Sequence, residues 1–138
     1  MYSSPSSFPK AFQCYKPVYN KVFGVIVSTS DNRILLIRGR KKNKWSFPKG
    51  HLKSNETSYR CAMRECYEET GISFEHIDYN SYRRLSSGAY FVYDNATESI
   101  PSIQDNDEVC EVRWVPVEEI ASLRKNIDVS EFIRAYYQ

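Results

Sequence analysis

Residues 49–72 constrain the fold of this chain most strongly, because they have the pattern of a tight loop followed by one well-delimited helix. Ser54 or Asn55 is suited to cap the helix N-terminus, positions 57–69 contain no glycine or proline, and Gly71 is suited to end the helix. One face of this helix is apolar at the spacing i, i+3, i+4 and i+7, through Tyr59, Ala62, Met63 and Cys66. Such a stripe predicts that the helix packs against a core.

A second face of the same helix carries acidic side chains. Glu65, Glu68 and Glu69 stand at i, i+3 and i+4, so their carboxylates converge and repel one another by about a few tenths of a kcal/mol per pair. Carboxylate oxygens are suitable ligands for Mg²⁺ or Mn²⁺, which would offset this repulsion. The alternative is a solvated charged face with ordinary arginine–glutamate pairs, and this is the commoner explanation for a charge run taken alone.

The spacing of residues across the whole stretch at 49–72 favours a cation site over a solvated charged face. It follows the pattern G-x5-E-x7-R-E-U-x-E-E-x-G-U, where U is apolar, and it resembles the signature of the Nudix hydrolases at every fixed position. The matching residues are Gly50, Glu56, Arg64, Glu65, Glu68, Glu69 and Gly71, with Ile72 in the last apolar place. Cys66 stands where the family usually has Ile, Leu or Val, and a cysteine packs as a small hydrophobe, so this difference is expected to affect packing rather than chemistry.

The resemblance implies a fold, an activity and a cofactor. The implied fold is an α/β/α sandwich with a mixed central sheet, and the implied activity is hydrolysis of a phosphoric anhydride. The implied cofactor is Mg²⁺, with Mn²⁺ as the alternative, and its ligands would be Glu65, Glu68, Glu69 and the backbone carbonyl of Lys49. Such a cation neutralises substrate charge and lowers the pKa of the water that attacks phosphorus.

A carboxylate must also take a proton from that water. By the resemblance, the candidates are Glu65, Glu69 and Glu108. Glu108 is included because E-V-C-E-V-R-W, at positions 108–114, resembles a segment of decapping and dinucleotide hydrolase domains in which a loop acid faces the metal site. Asp107 is the second choice for this acid. The alternative is that Glu108 is an ordinary loop residue without a catalytic role. Arg64 is expected to pair with Glu56 or another signature acid and to act structurally.

Two segments before the signature helix are candidates for substrate binding. The run RGRKKNK at positions 38–44 is suited to a polyanionic substrate or an RNA backbone, with a solubilising loop as the alternative. The run W-S-F-P-K-G-H at positions 45–51 resembles dinucleoside tetraphosphate hydrolases, and part of it resembles mRNA-decapping domains. Substrate contacts are therefore expected from Arg38, Arg40, Lys44, Lys49 and His51.

Short apolar runs elsewhere predict a sheet with further helices. Strands are predicted at 22–28, 33–38, 45–47, 82–86, 89–94 and 110–115, the first two as a hairpin-like pair. Helices are predicted at 116–123 and 128–137, the latter capped by Asp128. Strands on both sides of a helix, followed by terminal helices, predict a layered domain over residues 18–138, preceded by a Ser/Pro-rich arm at 1–17.

Length and composition agree with one domain. A chain of 138 residues with 41% hydrophobic residues can bury a core, and its net charge of +2 favours no class of partner. No apolar run approaches the roughly 18 residues that span a bilayer, and the N-terminus has no apolar segment typical of a secretion signal. Four cysteines without a C-x-x-C pair predict reduced thiols in an intracellular, cytoplasmic protein.

The resemblance leaves several substrate classes open. A dinucleoside polyphosphate is the first candidate, from P-K-G-H, and the 5′ end of a capped RNA is the second, from F-P-K-G, the Glu108 segment and the basic loop. A diphosphoinositol polyphosphate is the third candidate, because the same cations would bind it. A non-catalytic binding module is disfavoured, since every acidic position of the signature is retained.

Overall fold

The computed structural model describes residues 21–137, which form seven strands and three helices, so the predicted arm at 1–17 lies outside the described residues. The strands are β1 (Val22–Thr29), β2 (Arg33–Gly39), β3 (Trp45–Ser46), β4 (Lys49–His51), β5 (Ser81–Arg84), β6 (Ala89–Ala96) and β7 (Val109–Pro116). The helices are α1 (Ser58–Thr70), α2 (Val117–Ile120) and α3 (Ile127–Tyr136). No helix in residues 21–137 is long and apolar enough to cross a membrane.

The strands form a mixed sheet, as expected, with β1 near its centre. β1 runs parallel to β6 and antiparallel to β4, where Phe23 is opposite Gly50. The expected hairpin-like pairing of β1 with β2 is limited to Ser28 opposite Ile34, and the main partner of β2 is β7, with which it pairs along its whole length. β3 continues the sheet on the other side of β2, and β5 pairs with β6.

Each face of the sheet is covered by helix. Successive side chains of a strand point to opposite faces, so Val25 and Val27 pack on one side and Ile26 on the other. The first side includes the α1 residues Cys61, Ala62, Met63 and Cys66, with Tyr59 at its margin. The second side includes Ile120, Val129 and Phe132 from α2 and α3. The α/β/α arrangement and the apolar face of α1 are therefore confirmed.

The N-terminal cap of α1 differs from the prediction. Thr57, in extended conformation, accepts a hydrogen bond from the Arg60 backbone N–H at 3.1 Å. Asn55 has φ of +64°, in the left-handed region, and a cap residue needs an extended backbone, so the predicted cap at Ser54 or Asn55 is wrong. Gly71 ends the helix at φ +74°, as predicted, and its N–H bonds the Tyr67 carbonyl.

The two C-terminal helices also differ in detail from the prediction. The helix expected at 116–123 is limited to the four residues of α2. α3 is capped by Asn126, which accepts from the Val129 N–H at 3.0 Å, so the prediction of an Asp128 cap is wrong. Asp128 is fully buried and accepts hydrogen bonds from Ser87 N–H and the Tyr90 hydroxyl, which fastens α3 to the β5–β6 turn.

Candidate active site

Two glycines allow β1, β4 and helix α1 to approach closely at the site. A Cβ added to Gly50 would lie 1.9 Å from the Glu65 carboxyl carbon, so the carboxylate of Glu65 rests directly over β4. A Cβ added to Gly24 would lie 2.0 Å from the Pro48 carbonyl oxygen, so β1 lies equally close to the chain that leads into Lys49. Gly24 was missed as a site residue, although a glycine within an apolar strand is a sequence signal of close backbone approach.

Arg64 holds the signature loop to the helix. Its Nε and Nη2 donate to the two carboxylate oxygens of Glu56 at 2.6 and 3.0 Å, a bidentate pair. Nη1 donates to Glu65 at 2.9 Å and to Glu68 at 3.3 Å, and Nη2 also donates to the His51 carbonyl at 3.0 Å. The hydrogen bond from Arg64 lowers the pKa of Glu56, so this pair is charged at neutral pH.

Glu69 faces inward from the other side of the helix. It is 5% exposed, and its Oε1 accepts a hydrogen bond from the Lys49 backbone N–H at 3.0 Å. Burial raises the pKa of Glu69 to about 8, the Lys49 hydrogen bond and charge oppose the increase, and Glu65 and Glu108 add to it. Its second oxygen accepts no hydrogen bond from any residue between 21 and 137, so that oxygen is available to a ligand.

Glu65 lies in the same field of negative charge. Burial raises its pKa to about 6, Arg64 opposes this increase, and the charges of Glu68 and Glu108 add to it. Glu108, which is distant in sequence, therefore contributes to the raised pKa of both Glu65 and Glu69. These carboxylates cannot all ionise easily side by side without a compensating cation.

The loop that carries Glu108 is fastened to the end of α1. The backbone N–H groups of Gln104 and Asp105 donate to the Glu68 carbonyl at 3.0 and 2.8 Å, and Ser102 N–H donates to the Thr70 carbonyl at 2.8 Å. The Asp105 carboxylate then accepts from the Asp107 N–H at 3.2 Å, as in an Asx turn, and from the Glu108 N–H at 3.3 Å. Ser102 and Asp105 were missed in the sequence, where only the length and polarity of the loop hinted at a role.

The chemistry of these side chains fits a hard divalent cation, which prefers carboxylate oxygens as ligands. Burial and the charges of neighbouring acids raise the pKa of Glu65 and Glu69, and a bound cation would offset both effects. Glu65 and Glu68 turn toward Arg64, and no three His, Cys, Asp or Glu side chains in residues 21–137 are already gathered as a metal cage. Glu65, Glu68 and Glu69 remain the predicted ligands, together with the Lys49 carbonyl.

The predicted substrate-binding residues lie in different settings. Lys49 acts electrostatically on Glu69, whereas His51 has an exposed side chain and joins the site through its carbonyl. Arg38 is paired with Glu111 at 2.9 Å, and Lys44 is half-buried with no acidic partner among residues 21–137. Arg40 touches the site indirectly, because its backbone N–H donates to the Glu108 carbonyl at 2.8 Å.

A sequence model of the NUDIX domain matches residues 18–136. The chain belongs to the Nudix family. The resemblance inferred from the signature is thereby confirmed, and Nudix hydrolases generally use divalent metal ions.

The curated relatives include RNA-processing members of the Nudix family. The chain is 28% identical over 111 residues to the mRNA-decapping enzyme subunit 2 of Arabidopsis thaliana, a match that covers 75% of this chain and 29% of that protein. The chain thus spans less than a third of the length of that relative.

Solved structures show the same fold at lower identity. An Ap4A hydrolase of C. elegans, solved as a binary complex, has a TM-score of 0.67 and 20% identity, covering 84% of this chain and 95% of that chain. A bifunctional NMN adenylyltransferase/ADP ribose pyrophosphatase of Francisella tularensis, complexed with AMP and a Mn ion, has a TM-score of 0.66 and 22% identity, covering 83% of this chain and 39% of that chain. The predicted Nudix fold is confirmed by these neighbours.

Proposed function

We propose that this chain is a Mg²⁺-dependent pyrophosphohydrolase that cleaves a P–O–P bond in a dinucleoside polyphosphate linkage. The observation that carries the proposal is the placement of two signature acids beside the loop at Lys49: Glu69 accepts a hydrogen bond from the Lys49 N–H at 3.0 Å, and the Glu65 carboxylate lies directly over Gly50. A surface that only solvated its charges would leave these acids apart and exposed, whereas Glu69 is buried and Glu65 lies over Gly50.

The residues of the site have separate proposed roles in binding the cation, binding phosphate and positioning other side chains. Glu65, Glu68, Glu69 and the Lys49 carbonyl would hold the cation, which neutralises phosphate charge and assists deprotonation of water. Lys49 places a positive charge near Glu69 and would contact a phosphate oxygen of the substrate. Arg64 keeps the loop at Glu56 and the carboxylate of Glu65 in place through charge-assisted hydrogen bonds.

Glu108 is the general base that this arrangement favours. Glu65 is held by Arg64 and Glu69 by Lys49, so both carboxylates are fixed against the protein. Glu108 is exposed, its side chain accepts no hydrogen bond from residues 21–137, and it still acts on both other acids. An exposed carboxylate on an anchored loop can reach the attacking water and accept its proton at a carboxylate oxygen.

Two lines of support favour the proposed substrate class. The P-K-G-H run resembles dinucleoside tetraphosphate hydrolases, and the Ap4A hydrolase shares the fold. The decapping relative fits the same linkage, because an RNA cap is itself a 5′–5′ dinucleoside triphosphate with an RNA chain on one side. A diphosphoinositol polyphosphate lacks nucleosides and is the contrasting substrate.

The test is product release from a matched panel with Mg²⁺. Diadenosine tetraphosphate, a capped RNA and a diphosphoinositol polyphosphate are incubated with the chain and with Glu108→Gln, and nucleotide and phosphate products are separated. Cleavage of a dinucleoside linkage that falls on the order of 100-fold or more in the variant is expected. Cleavage of the inositol compound alone, or no dependence on Mg²⁺, contradicts the proposal.

A further inference from the structure

A basic residue that is distant in sequence, Arg124, lies near the basic loop at 38–44 in the folded chain. Trp45 N–H donates to the Arg124 carbonyl at 2.9 Å, and Asn126 N–H donates to the Trp45 carbonyl at 3.0 Å. Residues 124–126 therefore lie beside β3, with a single parallel bridge between Lys125 and Trp45. We call the resulting surface the basic edge; its members are Arg40, Lys41, Lys42, Lys44 and Arg124.

The charge of the basic edge is not compensated. The two arginines that flank it are neutralised, since Arg38 pairs with Glu111 at 2.9 Å and Arg113 with Glu119 at 3.3 Å. Within residues 21–137, no member of the basic edge has an acidic group within 4.0 Å. The whole run at 38–44 contains no acid. A surface with this charge attracts a polyanion.

The basic edge is connected to the site. Arg40 N–H donates to the Glu108 carbonyl at 2.8 Å, and Arg40 Nε donates to the Asn106 carbonyl at 2.9 Å. The loop with Glu108 and the loop with Lys41 and Lys42 are therefore fixed to each other. The basic edge therefore begins at the loop that carries Glu108.

We propose that the basic edge binds the phosphate backbone of a single-stranded RNA whose 5′ end occupies the site. This rests on the proposed function and selects, among dinucleoside linkages, the one that continues into RNA; a free dinucleotide has no backbone to reach Lys42 and Arg124. Trp45 is 6% exposed, with the guanidinium carbons of Arg38 and Arg113 6.0 and 5.7 Å from its ring. The Trp45 ring, which β3 places next to this edge, is thus covered by protein and does not offer a base-stacking surface, so we expect the contact to be to phosphates with little base preference.

The test is RNA binding without turnover, by fluorescence anisotropy in EDTA with a labelled capped single-stranded RNA of about 20 nucleotides, longer than common single-strand sites. The variant Lys41→Gln/Lys42→Gln/Arg124→Gln removes three charges from the basic edge. Because each phosphate contact to a single strand contributes about 0.7 to the salt slope, the slope is expected to decrease by about 2. Affinity at low salt is expected to fall roughly tenfold or more.

The matched control is Arg60→Gln/Arg84→Gln/Arg134→Gln, which removes three charges from other exposed positions and is expected to keep the wild-type salt slope. Circular dichroism checks that both variants are folded. Equal slopes for the wild type and the basic-edge variant, or an equal loss in the control, overturn the proposal. Since no bond is cleaved in EDTA, failure of RNA binding is separate from failure of the hydrolase proposal, which the product panel decides.

Discussion

The pair formed by Arg64 and Glu56 is expected to stabilise the folded state well beyond an ordinary surface ion pair. The two side chains are 21% and 14% exposed and meet in a fork of two hydrogen bonds at 2.6 and 3.0 Å. Exposed pairs contribute about 0.2–1 kcal/mol, whereas hydrogen bonds to charged groups contribute about 1.5–3 kcal/mol. We therefore predict a coupling free energy of about 2 kcal/mol between these residues.

The measurement is a double-mutant cycle with Arg64→Met, Glu56→Gln and the double variant, using equilibrium unfolding in urea at pH 7 with EDTA. Arg64→Met alone is expected to cost about 3 kcal/mol, because it also leaves Glu65 and Glu68 without their guanidinium partner. The control cycle is Arg60 and Glu75, 3.8 Å apart and 69% and 46% exposed, which should couple by about 0.5 kcal/mol or less. Equal coupling in the two cycles refutes the reasoning.

Three further predictions concern the geometry of the site. Gly50→Ala places a methyl group where the Glu65 carboxylate lies, so turnover should fall on the order of 100-fold while the unfolding free energy changes by about 1 kcal/mol; a fully active variant contradicts this. Asp105→Ala removes the acceptor for the Glu108 N–H and should lower kcat about tenfold with KM unchanged. Asp105→Asn keeps an acceptor oxygen and should restore kcat. Equal losses in both variants disprove the role of this turn in positioning Glu108. The folded-state pKa of Glu56 lies below its ordinary 4.5, so its contribution to stability is present above pH 4.5 and is lost as the pH falls further. The difference in unfolding free energy between the wild type and Glu56→Gln should therefore decrease toward zero in acid. A difference that is constant with pH excludes this linkage.

The site could be predicted where its residues share one helix. The spacing of Glu65, Glu68 and Glu69 fixes their place on α1, and Gly71 fixes its end, because helical geometry acts over a few residues. The cap was assigned wrongly because several polar residues precede the helix, and only the backbone conformation shows that Thr57 is extended.

Contacts between distant segments could not be predicted from the sequence. Nothing local indicates that β2 takes β7 as its main partner or that Arg124 lies beside Trp45, because both follow from how the sheet is assembled. The same holds for Asp105, whose role depends on the loop reaching the end of α1. Glu108 was a candidate only through the resemblance of its segment to known domains.

The most direct test of the cation site is the turnover of Glu69→Gln with Mg²⁺ on a dinucleoside tetraphosphate. Glutamine keeps an oxygen that accepts the hydrogen bond from Lys49 N–H but cannot ionise to bind a cation, so the fold is expected to be retained while the proposed metal ligand is lost. We predict that turnover falls on the order of 100-fold or more while the urea unfolding midpoint stays the same or rises. A folded Glu69→Gln protein with the turnover of the wild type contradicts the claim that α1 holds a cation against the polyphosphate.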